Sequence, residues 1–150
     1  INFHPAPLPI NKGCHAAFWG IYLDKKHGCT MHLMSKKFDD GPILDQIVYK
    51  NTDDLIAEDV WKKSHSLSVD LLKRNLNNIY MKKIKLKKNS KGNYNNKKKI
   101  IRTTTLKEKQ KITVQNLWRI IKGVNFKENG FFIITKKNKY KIIPKIIKVN

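Results

Sequence analysis

The sequence predicts an α/β fold in which a small helix-plus-hairpin subdomain follows a sheet of strands and helices. Residues 28–34 and 42–49 are short segments with apolar side chains, and the turn signal at residues 39–41 separates them, so both are predicted as strands. From residue 53 to about residue 78, apolar side chains recur every three or four positions, which predicts a long helix. The 150 residues are the size of one ordinary domain, and the 40% hydrophobic content excludes a wholly disordered protein.

Before the two central strands, the sequence predicts a strand end, a stiff loop and a short helix. Residues 1–4 are predicted as the end of a strand. Residues 5–13 carry three prolines at alternate positions, which suit neither a central strand nor a helix interior. This loop is interpreted as a rigid wall beside a site, in preference to a proline-rich ligand for a binding module. Residues 15–23 are mostly apolar and predict a short helix, and Thr52 or Asp53 is expected to cap the long one.

The second part of the chain is predicted as a linker followed by a helix and a hairpin. Residues 82–99 hold nine Lys, four Asn and no acidic residue, which is typical of a segment that is either mobile or wrapped over the surface. Thr113 is expected to cap a helix over residues 114–122, with Gly123 ending it. Residues 131–149 predict a β-hairpin. The three predicted parts are therefore residues 1–81, 82–99 and 100–150.

The formal net charge of +21 is concentrated in the later part of the chain. Residues 1–60 carry six Lys against eight acidic residues, whereas residues 61–150 carry 26 basic residues against three acidic ones. Such a region either contacts nucleic-acid phosphates or is a solvated, lysine-coated surface. The chain has only three Arg, the side chain that favours bidentate phosphate and base contacts, so the solvated surface is the favoured interpretation.

Hydropathy and cysteine content bear on the compartment. No apolar run approaches the roughly 20 residues of a membrane-spanning helix. Two cysteines could form only one disulfide bond, which is too few for a disulfide-stabilised fold. A cytoplasmic setting with reduced thiols and no membrane partner is therefore expected.

Asn2 and His4 are the first candidates for chemistry. If residues 1–4 form a strand, its period of two puts both side chains on one face. An imidazole can move a proton near neutral pH, and a carboxamide N–H can bind the oxygen that becomes negative in acyl transfer. Asp39 or Asp40 could supply the carboxylate that orients such an imidazole. On spacing alone, an ordinary polar loop is the commoner explanation of this pair.

Four segments add a resemblance to a known family. They are I-N-F-H-P-A-P-L-P at residues 1–9, K-G-C-H-A at residues 12–16, G-C-T-M-H at residues 28–32 and D-D-G-P-I-L-D-Q at residues 39–46. In this order they resemble the catalytic half of the 10-formyltetrahydrofolate-dependent formyltransferases, with Ala6 in place of the usual serine. The resemblance implies the C-terminal half of a Rossmann-like formyltransferase domain with an open, mostly parallel sheet.

The resemblance also implies roles for individual residues. Asn2 would hold the formyl oxygen, and His4 would act as general acid and base. Asp39, rather than Asp40, would be the carboxylate partner of the imidazole, and His32 would support the site. The cofactor-binding residues implied for the folate pocket, mainly through backbone atoms, are Lys36, Lys37, Phe38 and Asp39.

The implied activity is transfer of a formyl group from 10-formyltetrahydrofolate to a primary amine. Residues 13–15 and 18–22 are most similar to the sugar-nucleotide members of the family, so an amino-sugar nucleotide is the expected acceptor. Two alternatives stay open: a methionyl-tRNA formyltransferase, whose tRNA the basic residues would contact, and a non-catalytic, Lys-rich nucleic-acid-binding fragment. A homodimer is also left open.

The start of the chain suggests that its upstream part is missing. The sequence begins with Ile1 rather than Met, and the candidate catalytic residues lie within four positions of that end. We expect a C-terminal fragment that lacks the earlier strands and the rest of the folate pocket. Such a fragment is expected to be inactive alone.

A zinc site is the competing interpretation of several residues. The residues with metal-ligand side chains are Cys14, His15, His27, Cys29 and His32. A structural zinc site usually pairs ligands as C-x₂₋₄-C with H-x₃₋₅-H, and these five residues do not follow that spacing. No metal is expected, and both cysteines are expected to be reduced thiols.

Overall fold

The structure is a computed structural model that describes residues 1–52, 54–126 and 129–147. In chain order its elements are β1 (Asn2–His4), β2 (Lys12–Gly13), α1 (Ala16–Tyr22), β3 (His27–His32), β4 (Ile43–Tyr49), α2 (Ala57–Tyr80), β5 (Tyr94–Asn95), α3 (Lys97–Thr103), β6 (Thr105–Lys107), α4 (Val114–Val124), β7 (Phe131–Ile134) and β8 (Lys139–Ile142). This mixture of helices and strands is the α/β class that the sequence predicts. Among the described residues, no helix is long and apolar enough to cross a membrane.

The first sheet has the strand order β1-β3-β4, with β3 in the centre and all of its residues buried. Both pairings in it are antiparallel, so the expected parallel pairing is wrong for these three strands. The connection between β3 and β4 explains part of this result. It spans only residues 33–42, and a parallel pair needs a crossover of a dozen or more residues.

Helix α2 packs on this sheet and confirms the predicted long helix. Leu71 is fully buried against Cys29, Met31 and Leu44 of the sheet. The helix begins later than predicted, at Ala57, so Thr52 does not cap it; Asp53 lies outside the described residues.

The C-terminal subdomain contains one more strand than the sequence predicts. Strands β7 and β8 form the predicted antiparallel hairpin, and β6 adds to it in parallel with β7. A second core lies here, formed by Phe18, Trp19, Leu106, Ile120, Val124 and Phe131. Phe18 and Trp19 lie on α1, so α1 packs against this subdomain.

Helix α4 has the predicted cap but not the predicted end. The Thr113 hydroxyl accepts a hydrogen bond from the backbone N–H of Asn116 at 3.2 Å. Gly123 does not end the helix, which continues to Val124. A Cβ at Gly123 would lie 2.6 Å from the ring of Phe18, so the glycine is needed for close packing of α1 on α4.

The segment expected as a linker wraps back over the first part of the chain. Lys87 bridges to Ile43 at the edge of the first sheet, and β5 pairs in parallel with β2. Helix α3 then begins at Lys97. Of the two alternatives for residues 82–99, the structure shows the segment wrapped on the surface.

Candidate active site

Strand β1 places the carboxamide and the imidazole of the candidate site on one face of the first sheet. The register pairs Asn2 with His32 and His4 with Thr30 across β1 and β3. The Asn2 Nδ2 lies 3.1 Å from His32 Nε2, and His32 Nδ1 lies 2.8 Å from the carbonyl oxygen of Leu33. A neutral His32 ring therefore donates from Nδ1 to Leu33 and accepts from Asn2 at Nε2.

The turn between β3 and β4 brings a carboxylate to the same place. Asp39 adopts a left-handed backbone conformation, with φ of 53°. Its Oδ1 lies 3.4 Å from His4 Nδ1 and 3.7 Å from His32 Nε2, and its Oδ2 accepts the backbone N–H of Gly13 at 2.8 Å. The structure thus brings together Asn2, His4, His32 and Asp39, as the site prediction requires.

Asp40 lies apart from this cluster. Its Oδ1 contacts the Nζ of the buried Lys12 at 2.6 Å, and its side chain is 43% exposed. Asp40 is thus an exposed turn residue whose carboxylate is bound by Lys12. Between the two aspartates, Asp39 is the one that contacts the imidazole.

Both nitrogens of the His4 ring face hydrogen-bond acceptors. Nε2 lies 2.8 Å from the backbone oxygen of Asn11, and Nδ1 faces Asp39. Only the protonated ring can donate to both acceptors. Burial lowers the pKa of His4 below its ordinary value, while the charge of Asp39 and the Asn11 carbonyl offset part of that effect. A buried ring that is balanced in this way can change protonation during a reaction.

The charge state of Asp39 results from opposing effects. Burial alone would raise the pKa of this carboxyl, but contact with His32, the charge of His4 and the Gly13 N–H all favour the carboxylate. The resulting pKa lies below the ordinary value. Asp39 is therefore an anion near neutral pH and can stabilise a positive charge on His4.

A cleft of about 520 Å³ opens at the turn that carries Asp39, with Phe38 and Asp40 among its lining residues. Of the four residues predicted to bind the folate, Lys36, Lys37 and Phe38 are on its wall, and Asp39 lies between the lining residues Phe38 and Asp40. The remaining lining residues are Lys12, Asp40, Lys91, Gly92 and Tyr94. The Phe38 side chain is 80% exposed, so an aromatic face is open to a ligand.

Sequence reasoning missed the polar residues that hold the proline-rich loop. The Thr30 hydroxyl donates to the Ala6 carbonyl at 2.6 Å and accepts from the Leu8 N–H and the Gln46 side chain. The signal for Thr30 was its place in the matched segment G-C-T-M-H. Asn11, which contacts His4 through its carbonyl, had no such signal.

The structure separates the residues considered for a metal site. Within the described ranges, no group of three or more His, Cys, Asp or Glu side chains is arranged to hold a metal ion. Cys14 and Cys29 are both free thiols, the first half-buried and the second buried.

Comparison with known families agrees with this geometry. The formyl transferase family model matches residues 1–76, which is half of the chain. The chain belongs to the formyl transferase family. The matched region contains the whole Asn2, His4, His32 and Asp39 cluster.

Individual relatives are similar over different lengths. The bifunctional polymyxin resistance protein ArnA of Wigglesworthia glossinidia brevipalpis is 33% identical over 84 residues, which are 55% of this chain and 13% of ArnA. A 4-N formyltransferase from Francisella tularensis has a TM-score of 0.88 at 22% identity, covering 99% of this chain and 62% of its own. An N-formyltransferase from Helicobacter canadensis has a TM-score of 0.76 at 25% identity, covering 95% of this chain and 52% of its own. This chain therefore spans less than two thirds of the length of these relatives.

Proposed function

We propose that this chain is the catalytic part of a formyltransferase that moves a formyl group from 10-formyltetrahydrofolate to the amine of an amino-sugar nucleotide. One observation carries the proposal. The carboxamide of Asn2, the imidazole of His4 and the carboxylate of Asp39 converge on one face of the first sheet, beside an open cleft. These are the three groups that acyl transfer to an amine requires.

Asn2 would bind the formyl oxygen. Its NH₂ group has two hydrogens, and His32 accepts one of them. The other would donate to the oxygen as negative charge develops there. A single oxyanion donor of this kind contributes about 10²–10³ in rate.

His4 and Asp39 would handle the proton. The attacking amine must lose a proton, and the departing nitrogen must gain one, so a group that both accepts and donates is needed. His4 would do both at Nδ1, because Nε2 faces the Asn11 carbonyl, and the anionic Asp39 at 3.4 Å stabilises the ring when it is charged. Asn11 fixes the plane of the ring from the other side.

The cleft fits the proposed donor in size and in chemistry. A reduced folate has an aromatic body and a glutamyl tail with carboxylates, and it supplies the formyl carbon that the amine attacks. Phe38 offers an exposed ring, and Lys36, Lys37 and Lys91 offer cations for the tail. These residues would hold the donor next to Asp39.

The acceptor class is supported by the relatives. The Helicobacter canadensis N-formyltransferase was solved with folinic acid and dTDP-3-aminofucose. The tRNA and nucleic-acid alternatives rest on net charge alone. A homodimer and a cytoplasmic location stay predictions, and the free thiols fit the latter.

The test uses the full-length protein that contains this chain. It is incubated with 10-formyltetrahydrofolate and a panel of amino-sugar nucleotides, with methionyl-tRNA as the competing acceptor. The proposal expects one sugar nucleotide to gain the mass of a formyl group. Formylation of methionyl-tRNA alone would replace the acceptor, and no transfer to any amine would refute the proposed activity.

A further inference from the structure

The lysine-rich segment of residues 82–99 covers the far side of the candidate site. Strand β5 pairs with β2, so the Lys12 N–H donates to the Asn93 carbonyl at 3.1 Å and the Cys14 N–H donates to the Asn95 carbonyl at 2.9 Å. The segment thus runs directly behind the loop that carries Asn11. Three of its asparagine side chains, Asn89, Asn93 and Asn95, reach into that loop and the neighbouring turn.

Asn11 is the residue that these side chains hold. It is 1% exposed and adopts a left-handed backbone conformation, with φ of 56°. Its N–H donates to Asn93 Oδ1 at 2.8 Å, and Asn93 Nδ2 donates back to Asn11 Oδ1 at 3.0 Å. Asn93 therefore binds both the backbone and the side chain of Asn11. This double contact compensates for a conformation that L-residues rarely adopt.

Asn95 completes the contact from a buried position. It is fully buried, and its Oδ1 accepts from Lys99 Nζ at 2.9 Å, which directs its Nδ2 toward Asn11 Oδ1 at 3.4 Å. Lys99 Nζ also lies 4.7 Å from the centre of the Trp19 ring, which fixes it from a second side. The orientation of Asn95 is thus set by Lys99, which packs against Trp19 of the second core.

Asn11, held in this way, in turn positions the imidazole of His4. Its backbone oxygen lies 2.8 Å from His4 Nε2, the ring nitrogen opposite the one that faces Asp39. A shift of the Asn11 peptide would therefore turn or release the His4 ring. On the carboxylate side, Asn89 Nδ2 donates to the carbonyls of Asp39 and Gly41 at 2.9 and 3.0 Å and so holds the turn.

We propose that Asn93 and Asn95 are positioning residues that hold the His4 imidazole through Asn11. This inference rests on the proposed function, because it assigns these asparagines to the geometry of that reaction. Neither residue touches the reacting atoms. Their effect is exerted on the orientation of the ring.

The kinetic test compares two neighbouring asparagines in the full-length protein. Asn93→Ala removes the contact with Asn11, whereas Asn96→Ala removes only the cap of α3, in which the side chain accepts the Lys99 N–H. Misplacing a catalytic group lowers turnover, so we expect kcat to fall by about 10- to 100-fold in Asn93→Ala, with KM for either substrate changed less than about twofold. Asn96→Ala should keep nearly full kcat. Equal losses in the two variants would overturn the proposal.

A second measurement needs no activity and so separates this inference from the proposed function. Nitrogen NMR of the histidine rings, assigned with His4→Gln, reports which nitrogen of His4 carries the proton and where the ring titrates. The groups that face the ring are Asp39 from the turn, His32 from β3 and the Asn11 carbonyl. We expect Nε2 to be protonated in the unsubstituted protein and the pKa of His4 to fall in Asn93→Ala, because the carbonyl that favours the charged ring is lost.

The proposal can be tested even if one of the two variants does not fold. If Asn93→Ala is unfolded by thermal melting, Asn95→Ala takes its place in both experiments. A His4 ring protonated at Nδ1 alone in the unsubstituted protein would overturn the proposal without any variant. So would an unchanged or raised pKa of His4 in a folded Asn93→Ala or Asn95→Ala protein.

Discussion

The sheet of β1, β3 and β4 and the sheet of β6, β7 and β8 both cover a buried core, but they bury different kinds of side chain. Beside the first sheet, His4, Asn11, Thr30 and His32 are nearly inaccessible to solvent. The second core is built from apolar side chains such as Ile120. Burying polar groups costs free energy unless each is hydrogen-bonded, and those of the first region are bonded to one another and to the backbone.

The difference shows where chemistry can be sought in this chain. The large positive charge lies mostly in the second half of the chain, where the last strand, β8, is exposed at every residue. Most of the lysines there are exposed to solvent. The few titratable groups of the first region are fixed at defined distances, and acyl chemistry depends on such distances.

The largest expected effect separates the two regions by activity. His4→Gln in the full-length protein should lower the rate of formyl transfer by about 10²–10⁴, because the group that moves the proton is lost. The matched control is Lys141→Gln, which removes a charge from the exposed strand β8. Initial rates under saturating substrates measure both. A comparable loss in Lys141→Gln would move the chemistry toward the basic surface.

The second prediction compares how much each of the two regions contributes to the stability of the protein. Ile120 is 1% exposed in the second core, so Ile120→Ala should lower the free energy of unfolding by about 2–5 kcal/mol through the lost burial and the cavity left behind. His4→Gln should cost less stability than this. Urea denaturation of both variants makes the comparison. A more stable Ile120→Ala than His4→Gln protein would mean that the first region carries the greater share of stability.

Acid should weaken the first region before the second. All five histidines lie at or before residue 65, and burial lowers the pKa of His4 and of His27 below the ordinary 6.5. Below that pH the unfolded chain binds protons that the folded chain does not, so stability falls as the pH falls from 6.5 toward the lowered values. Amide hydrogen exchange at about pH 7.5 and about pH 5.5, corrected for intrinsic rates, should show protection lost first in β1, β3 and β4. Earlier loss in β6 and β7 would contradict this.

The smallest effect tests how tightly the first sheet is closed. Cys29 lies in the central strand, and burial raises the pKa of its thiol to about 11, whereas Cys14 is half-buried in the loop after β2. Iodoacetamide should therefore label Cys14 in the native protein and label Cys29 only after denaturation. Mass spectrometry of the digested protein distinguishes the two. Native labelling of Cys29 would show that the sheet opens readily.

Local patterns predicted the local structure of this chain well. The apolar spacing located α2, and Thr113 located the start of α4. The pairing of strands was less accessible, because the direction of a strand depends on the chain path between strands. Strand β6, with three residues, is too short to leave a periodic signal. The end of α4 was misjudged because Gly123 makes room for Phe18, a contact between distant parts of the sequence.

The residues of the candidate site likewise include some that the sequence predicted and some that it did not. Asn2, His4 and Asp39 could be predicted because residue types and family segments both indicated them. Asn93 could not, because its side chain meets Asn11 across 82 positions, and an Asn in a lysine-rich segment looks like any other solvated residue. Contacts of this length are set by tertiary folding and leave no mark on local spacing.

The most direct measurement of the central claim is a crystal structure of the full-length protein with folinic acid, a stable formyl-bearing folate. We expect the folate in the cleft beside Phe38, with N10, the atom that bears the formyl group in the donor, directed toward Asn2 Nδ2 and His4. A folate bound elsewhere, or one whose N10 points away from both side chains, would contradict the proposed site.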